Sequence, residues 1–210
     1  MTTNRVPLPH EHEALEAILD VPTGARGVIV FAHGTGSSRL SPRNARVAEY
    51  LRSTGEFGTL LFDLLTAEED LTYENRFDID LLTRRLIVAV EWTRSQPECD
   101  TCAIGLFGAS TGAAAALRAA AELPDVVRAV VSRGGRPDLA GDALPRVRAP
   151  VLLVVGGADS VVISLNEQAR RLMNTHSELI IVPGATHLFE EPGALEQVER
   201  LTLGFLRREM

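Results

Sequence analysis

Residues 103–112 read AIGLFGASTG, and this stretch decides the fold. Its first five residues are mainly apolar, with the length and composition of a strand covered on both faces. Gly108-Ala109-Ser110-Thr111-Gly112 then supplies a G-x-S-x-G turn, and an alanine-rich helical pattern runs from Thr111 to about Leu123. Between a strand and a helix, the two glycines permit a tight turn with no room for larger side chains. Such a turn holds the Ser110 hydroxyl clear of the sheet, with a helix N-terminus behind it.

The same alternation extends outward in both directions. Short apolar runs recur at 27–32 (GVIVFA), 59–62 (TLLF), 126–131 (VVRAVV), 151–155 (VLLVV) and 178–182 (ELIIV). Helical patterns lie between them. One opens at Ser41-Pro42, a side-chain cap followed by a first-turn proline, and ends at Gly55. Another, 78–95, keeps Ile79, Leu82, Leu86, Val90 and Thr93 at helical spacing and stops before Pro97; two more cover 162–174 and 193–208. Strand–helix alternation with right-handed crossovers predicts an open, doubly wound, mostly parallel α/β sheet flanked by helices. Residues 14–20 read as an antiparallel edge strand, though their pattern also suits a helix. No repeat or low-complexity linker divides the chain, so residues 1–210 are expected to form a single domain. Between the runs ending at 131 and starting at 151, the segment PDLAGDALPRVRAP holds no more than one short helix. That segment is too short for a lid domain, so the sheet edge beside it is expected to be open.

In open α/β sheets the chemistry gathers at the carboxyl ends of the strands. After 151–155 come Gly156-Gly157-Ala158-Asp159, and after 178–182 come Pro183-Gly184-Ala185-Thr186-His187. A serine hydroxyl needs a base near neutral pH, and the base needs an orienting acid. Ser110, Asp159 and His187 follow one another at intervals of 49 and 28 residues, which fit consecutive strand–helix units in the order serine, acid, histidine. The loop after 27–32, His33-Gly34-Thr35-Gly36-Ser37-Ser38, has side chains small enough for backbone N–H groups to approach a developing alkoxide. The amides of Thr35 and Thr111 are the expected oxyanion donors. His33 is expected to brace that loop. Asp63, which follows 59–62, has no place in the serine–acid–histidine order and reads as structural or as a support for the same loop.

Charge narrows the remaining classes. The 21 basic residues are all arginine, and 21 − 28 gives a net charge of −7. Without lysine there is no Schiff base, no pyridoxal-phosphate anchor, no Ser-Lys dyad and no P-loop. An acidic chain without a basic cluster is a poor partner for nucleic acid. No run of about 18 apolar residues predicts a membrane helix. The first residues, MTTNRVPLPHEHE, do not read as a signal peptide, so a cytoplasmic protein is expected. Cys99 and Cys102 form a C-x-x-C before a strand rather than at a helix start, and are read as incidental cysteines. His10-Glu11-His12 reads as a solvated chain-end segment rather than a metal site, and His176 as a surface residue. Arg39, Arg133 and Arg136 stand near the carboxyl edge and carry two readings: guanidinium forks for a substrate carboxylate or phosphate, or braces paired with acids such as Asp63 and Asp138.

With these residues in hand, the chain resembles an α/β-hydrolase of the dienelactone-hydrolase-like group over nearly its whole length. The features are FAHGTGSSR at the oxyanion loop, LLFDLLT after the next strand, GLFGASTG at the elbow, VVGGADS at the acid and PGATHLFEEPG at the histidine. The resemblance implies hydrolysis of small esters or lactones through an acyl-enzyme, with no cofactor or metal. Dienelactone hydrolases proper use a cysteine nucleophile where this chain has Ser110, so serine ester hydrolysis carries over and the dienelactone substrate does not. Acyl transfer or perhydrolysis on the same residues, and ligand binding without turnover, are the alternative expectations.

Overall fold

The structure is a computed structural model that describes residues 4–7 and 13–210. Among the described residues, eight strands form one sheet: β1 (Asn4–Pro7), β2 (Ala14–Asp20), β3 (Gly27–Ala32), β4 (Phe57–Phe62), β5 (Ala103–Ala109), β6 (Val127–Arg133), β7 (Val151–Gly156) and β8 (Ser177–Val182). Their order is β1-β2-β4-β3-β5-β6-β7-β8. β1 and β2 pair antiparallel, β2 and β4 likewise, and the other pairings are parallel. Ala14–Asp20 is thus the expected antiparallel strand but not the edge. Asn4–Pro7, too short to carry a period of its own, pairs outside it.

Side chains alternate strictly across the central strands, as the two-residue period requires. Ile29, Phe31, Leu61, Phe107, Val131 and Val154 face α1 (Pro42–Ser53) and α5 (Ala194–Glu209). Val28, Val30, Leu60, Leu106, Val130 and Leu153 face the layer that holds α2 (Ile79–Arg94), α3 (Thr111–Glu122) and α4 (Ser160–Leu172). Burial on both faces is why the strands read as unbroken apolar runs. The alanines of α3 place that helix against the middle of the sheet, with Ala113, Ala114, Ala115 and Ala116 fully buried. No helix among the described residues is long and apolar enough to cross a membrane.

Element ends differ from the sequence reading where side chains outside the periodic pattern act. α4 starts two residues early because Asp159 caps it, its Oδ1 accepting the Val162 N–H at 3.4 Å. β6 runs on to Arg133, extended by pairing with β5 and β7. The segment after it, Pro137–Arg146, forms short 3-10 turns broken at Gly141 (φ 54°) rather than a lid.

Candidate active site

The parallel strands point their carboxyl ends to one edge, and the loops there converge. Ser110 stands between β5 and α3 with φ 51° and ψ −121°, a backbone conformation that costs a non-glycine residue about 1–3 kcal/mol. Neighbours enforce it. The Ser110 N–H donates to Arg133 O at 3.2 Å, and Ser110 O accepts the Arg136 N–H at 3.0 Å. A Cβ on Gly112 would stand 2.3 Å from Ala32 O, and one on Gly108 would stand 2.4 Å from Ala113 Cα. Both glycines of the elbow are therefore required by contact with neighbouring backbone.

Asp159 and His187 are brought together by loop-to-loop stitching. The Gly157 N–H donates to Val182 O and the Ala158 N–H to Ala185 O, at 2.8 and 2.9 Å. Gly156 allows this approach, since a Cβ there would meet Ala185 O at 2.4 Å. His187 Nδ1 lies 2.8 Å from Asp159 Oδ2. A carboxylate can only accept at neutral pH, so Nδ1 carries the proton and Nε2 is left as the acceptor. Ser110, His187, Gly34, Thr35 and Arg133 line a single cavity of about 190 Å³. Ser110 and His187 thus line one cavity, and Asp159 is joined to it through its contact with His187.

The oxyanion loop departs from expectation at one donor. The Thr35 amide donates to Thr111 Oγ1 at 3.0 Å instead of pointing free into the cavity. The two threonine hydroxyls are also 3.0 Å apart, and Thr35 Oγ1 donates to Arg76 O at 3.3 Å. Side-chain hydroxyls close this ring, and strand–helix periodicity says nothing about where they turn. His33 braces the loop as expected: its Nε2 accepts the Leu64 N–H at 3.0 Å, and Nδ1 lies 2.9 Å from Gly34 O. Burial holds its pKa below the usual imidazole value. Asp63 supports the same loop, accepting the Arg39 N–H at 2.6 Å and pairing with the Arg39 guanidinium.

The three arginines part company. Arg39 is taken by Asp63, and Arg136 by a two-pronged contact with Asp138 at 2.9 and 2.8 Å, so both brace loops rather than offering free forks. Among the described residues, Arg133 has no such acid. It is buried, with Nη2 3.4 Å from Asn44 Oδ1, and burial, then the charge of Arg43, pushes its pKa down to about 10. Arg43 and Asn44, in the first turn of α1, also line the cavity. The sequence reading missed both, although their place directly after the oxyanion loop puts them at the same sheet edge. Cys99 and Cys102 are free, and burial raises both thiols, Cys99 to about 12, the reverse of an activated C-x-x-C. His176 is exposed beside Glu178. His10-Glu11-His12 lies outside the described residues.

A doubly wound sheet with a G-x-S-x-G elbow and an Asp–His pair at its carboxyl edge defines an α/β-hydrolase. Residues 15–200 match the dienelactone hydrolase family, and the chain belongs to that family. A solved dienelactone hydrolase from Anabaena variabilis is 49% identical, with TM-score 0.95 over 100% of this chain and 97% of that one. An α/β serine hydrolase homologue from Coxiella burnetii shares the fold, with TM-score 0.79 and 19% identity over 98% and 97% of the two chains. A Mycobacterium tuberculosis protein, provisionally named a phosphoribosyl transferase, is 59% identical over 183 residues. Those residues are 87% of this chain but 41% of the relative, so the chain spans about two fifths of that protein's length. The family and the fold support a hydrolase.

Proposed function

We propose that the chain is a serine hydrolase that cleaves small carboxylic esters or lactones through an acyl-enzyme. The observation that carries the reading is the 2.8 Å contact of His187 Nδ1 with Asp159, in a cavity that also holds Ser110 on its constrained elbow. Ser110 Oγ attacks the substrate carbonyl carbon while its proton passes to His187 Nε2. The carbonyl electrons move onto oxygen, which the amide of Thr111 receives at the start of α3, where unpaired N–H groups and the helix dipole favour negative charge. The Thr35 amide joins as a second donor when the Thr111 hydroxyl rotates away. Collapse of the tetrahedral adduct breaks the ester C–O bond, and the leaving alcohol takes the proton from Nε2. Water then attacks the acyl-enzyme, giving a proton to Nε2 that returns to Ser110 as the acid departs. Asp159 stabilises the imidazolium at each stage.

A cavity of about 190 Å³ favours small acyl groups over long chains. The transferase name belongs to a much longer relative, whereas the hydrolytic reading rests on residues that this chain carries. The test is labelling with a fluorophosphonate probe alongside hydrolysis of short-chain esters. Wild-type protein should be labelled and active, and Ser110→Ala should be neither. Equal labelling of the two proteins would overturn the assignment.

A further inference from the structure

Among the described residues, one guanidinium in the Ser110 cavity is left without an acid. Arg133 is 7% exposed, its Nε has no hydrogen-bond partner, and Nη2 has only the Asn44 amide oxygen at 3.4 Å. Burying an unpaired charge is costly, and arginine cannot escape the cost by releasing its proton near neutral pH. Elsewhere the chain supplies partners: Arg39, Arg46, Arg76, Arg136 and Arg207 each meet a carboxylate. Arg43 faces the same cavity with a buried, unpartnered Nε, while its Nη1 reaches Glu190 at 2.9 Å. With Arg43 offset by Glu190, the corner carries one uncompensated positive charge. A planar fork with one excess charge matches a monoanion whose charge is shared by two oxygens.

Distance ties this corner to the reaction. Arg133 is the β6 partner of Ala109, the residue before Ser110, and adjacent strands lie about 4.8 Å apart. Ser110 and Arg133 also line the same cavity of about 190 Å³, so a ligand spanning both is small. Packing of the guanidinium 5.9 Å from the Phe189 ring, two residues beyond His187, limits its rotation without neutralising it.

We propose that Arg133, supported by Arg43, is a subsite for a singly charged group with two equivalent oxygens, a carboxylate or a phosphodiester, on the ester that Ser110 attacks. The inference rests on the hydrolase reading and deepens it: the substrates are short anionic esters. Binding energy at such a charged contact corresponds to about 10–100-fold in affinity.

The experiment compares kcat/KM for matched short esters with a neutral, carboxylate, methyl-phosphodiester or phosphate-monoester terminus. Wild-type protein should prefer the carboxylate and phosphodiester esters by about 10–100-fold, mainly through KM. The ratio of charged to neutral turnover should collapse in Arg133→Met and fall partway in Arg133→Lys, which keeps the charge but loses the fork. Equal turnover of all esters by wild-type protein, a preference for the phosphate monoester alone, or a preference that survives Arg133→Met would overturn the proposal. Calorimetric binding of monomethyl succinate to Ser110→Ala tests the subsite without turnover. Binding there that needs Arg133 supports the subsite even if Ser110 resists the fluorophosphonate probe, whereas labelling with no Arg133-dependent binding sinks the subsite alone.

Discussion

Replacing Ser110 by glycine should stabilise the protein relative to replacing it by alanine, although both variants lose the nucleophile. At φ 51° and ψ −121° a Cβ is strained by about 1–3 kcal/mol, and glycine is not. Alanine keeps the Cβ and therefore keeps the strain. The Ser110 side chain makes no capping hydrogen bond to α3, so neither variant loses a cap. Against this, glycine's greater freedom in the unfolded chain costs about 0.4–1 kcal/mol. The difference leaves Ser110→Gly ahead by about 0.5–2 kcal/mol. For a chain of this size that is about 1–8 °C in melting temperature. Urea unfolding and calorimetry of the two variants under the same buffer measure it directly. If Ser110→Ala equals or exceeds Ser110→Gly, the strain at the elbow is not stored where the backbone angles place it.

Asp159→Asn should lower kcat by about 10⁴-fold by favouring the wrong His187 tautomer; because asparagine also caps α4, calorimetry should find its melting temperature little changed. Gly112→Ala, whose Cβ would meet Ala32 O at 2.3 Å and His33 O at 2.5 Å, should destabilise by about 3 kcal/mol in urea unfolding and abolish ester hydrolysis by displacing the elbow from the oxyanion loop. His33 has its folded pKa depressed by burial, against weaker opposing effects from the Gly34 carbonyl, Asp63 and Asp70. Its stabilising neutral form is complete above the unfolded value of 6.5 and is lost as pH falls through the lower folded pKa. His33→Gln should therefore flatten the acid side of a stability–pH curve below 6.5, and an unchanged slope would contradict this. Cys99, raised to about 12, should resist a thiol reagent at pH 8 in the folded protein and react once urea unfolds it.

Much of this site is legible in the sequence, for a specific physical reason. Parallel strands with right-handed crossovers bring their carboxyl ends to one edge whatever the loops contain. A serine, an acid and a histidine placed just after three such strands must then be neighbours. The glycines around Ser110 were equally legible, because contact with backbone at 2.3–2.4 Å leaves no other residue type for those positions. β1 was not: four residues show no period, and only pairing with β2 makes them a strand.

The arginines mark where tertiary structure takes over. From composition they were equivalent cations near one sheet edge. Pairing, however, depends on which carboxylate lies within a few ångströms, and that is set by how loops pack. Asp63, 24 residues from Arg39, accepts both its amide and its guanidinium, and Asp138 takes Arg136. Arg133 lies in strand β6 beside Asn44 of α1, with no acid at hand among the described residues, and this leaves its charge facing the cavity. The Thr35 amide follows the same rule, its direction decided by one hydroxyl of Thr111. Periodicity and chain order settle which residues share an edge, because backbone geometry repeats. Which groups on that edge are free to bind depends on single contacts of about 3 Å, and those exist only once the chain is folded.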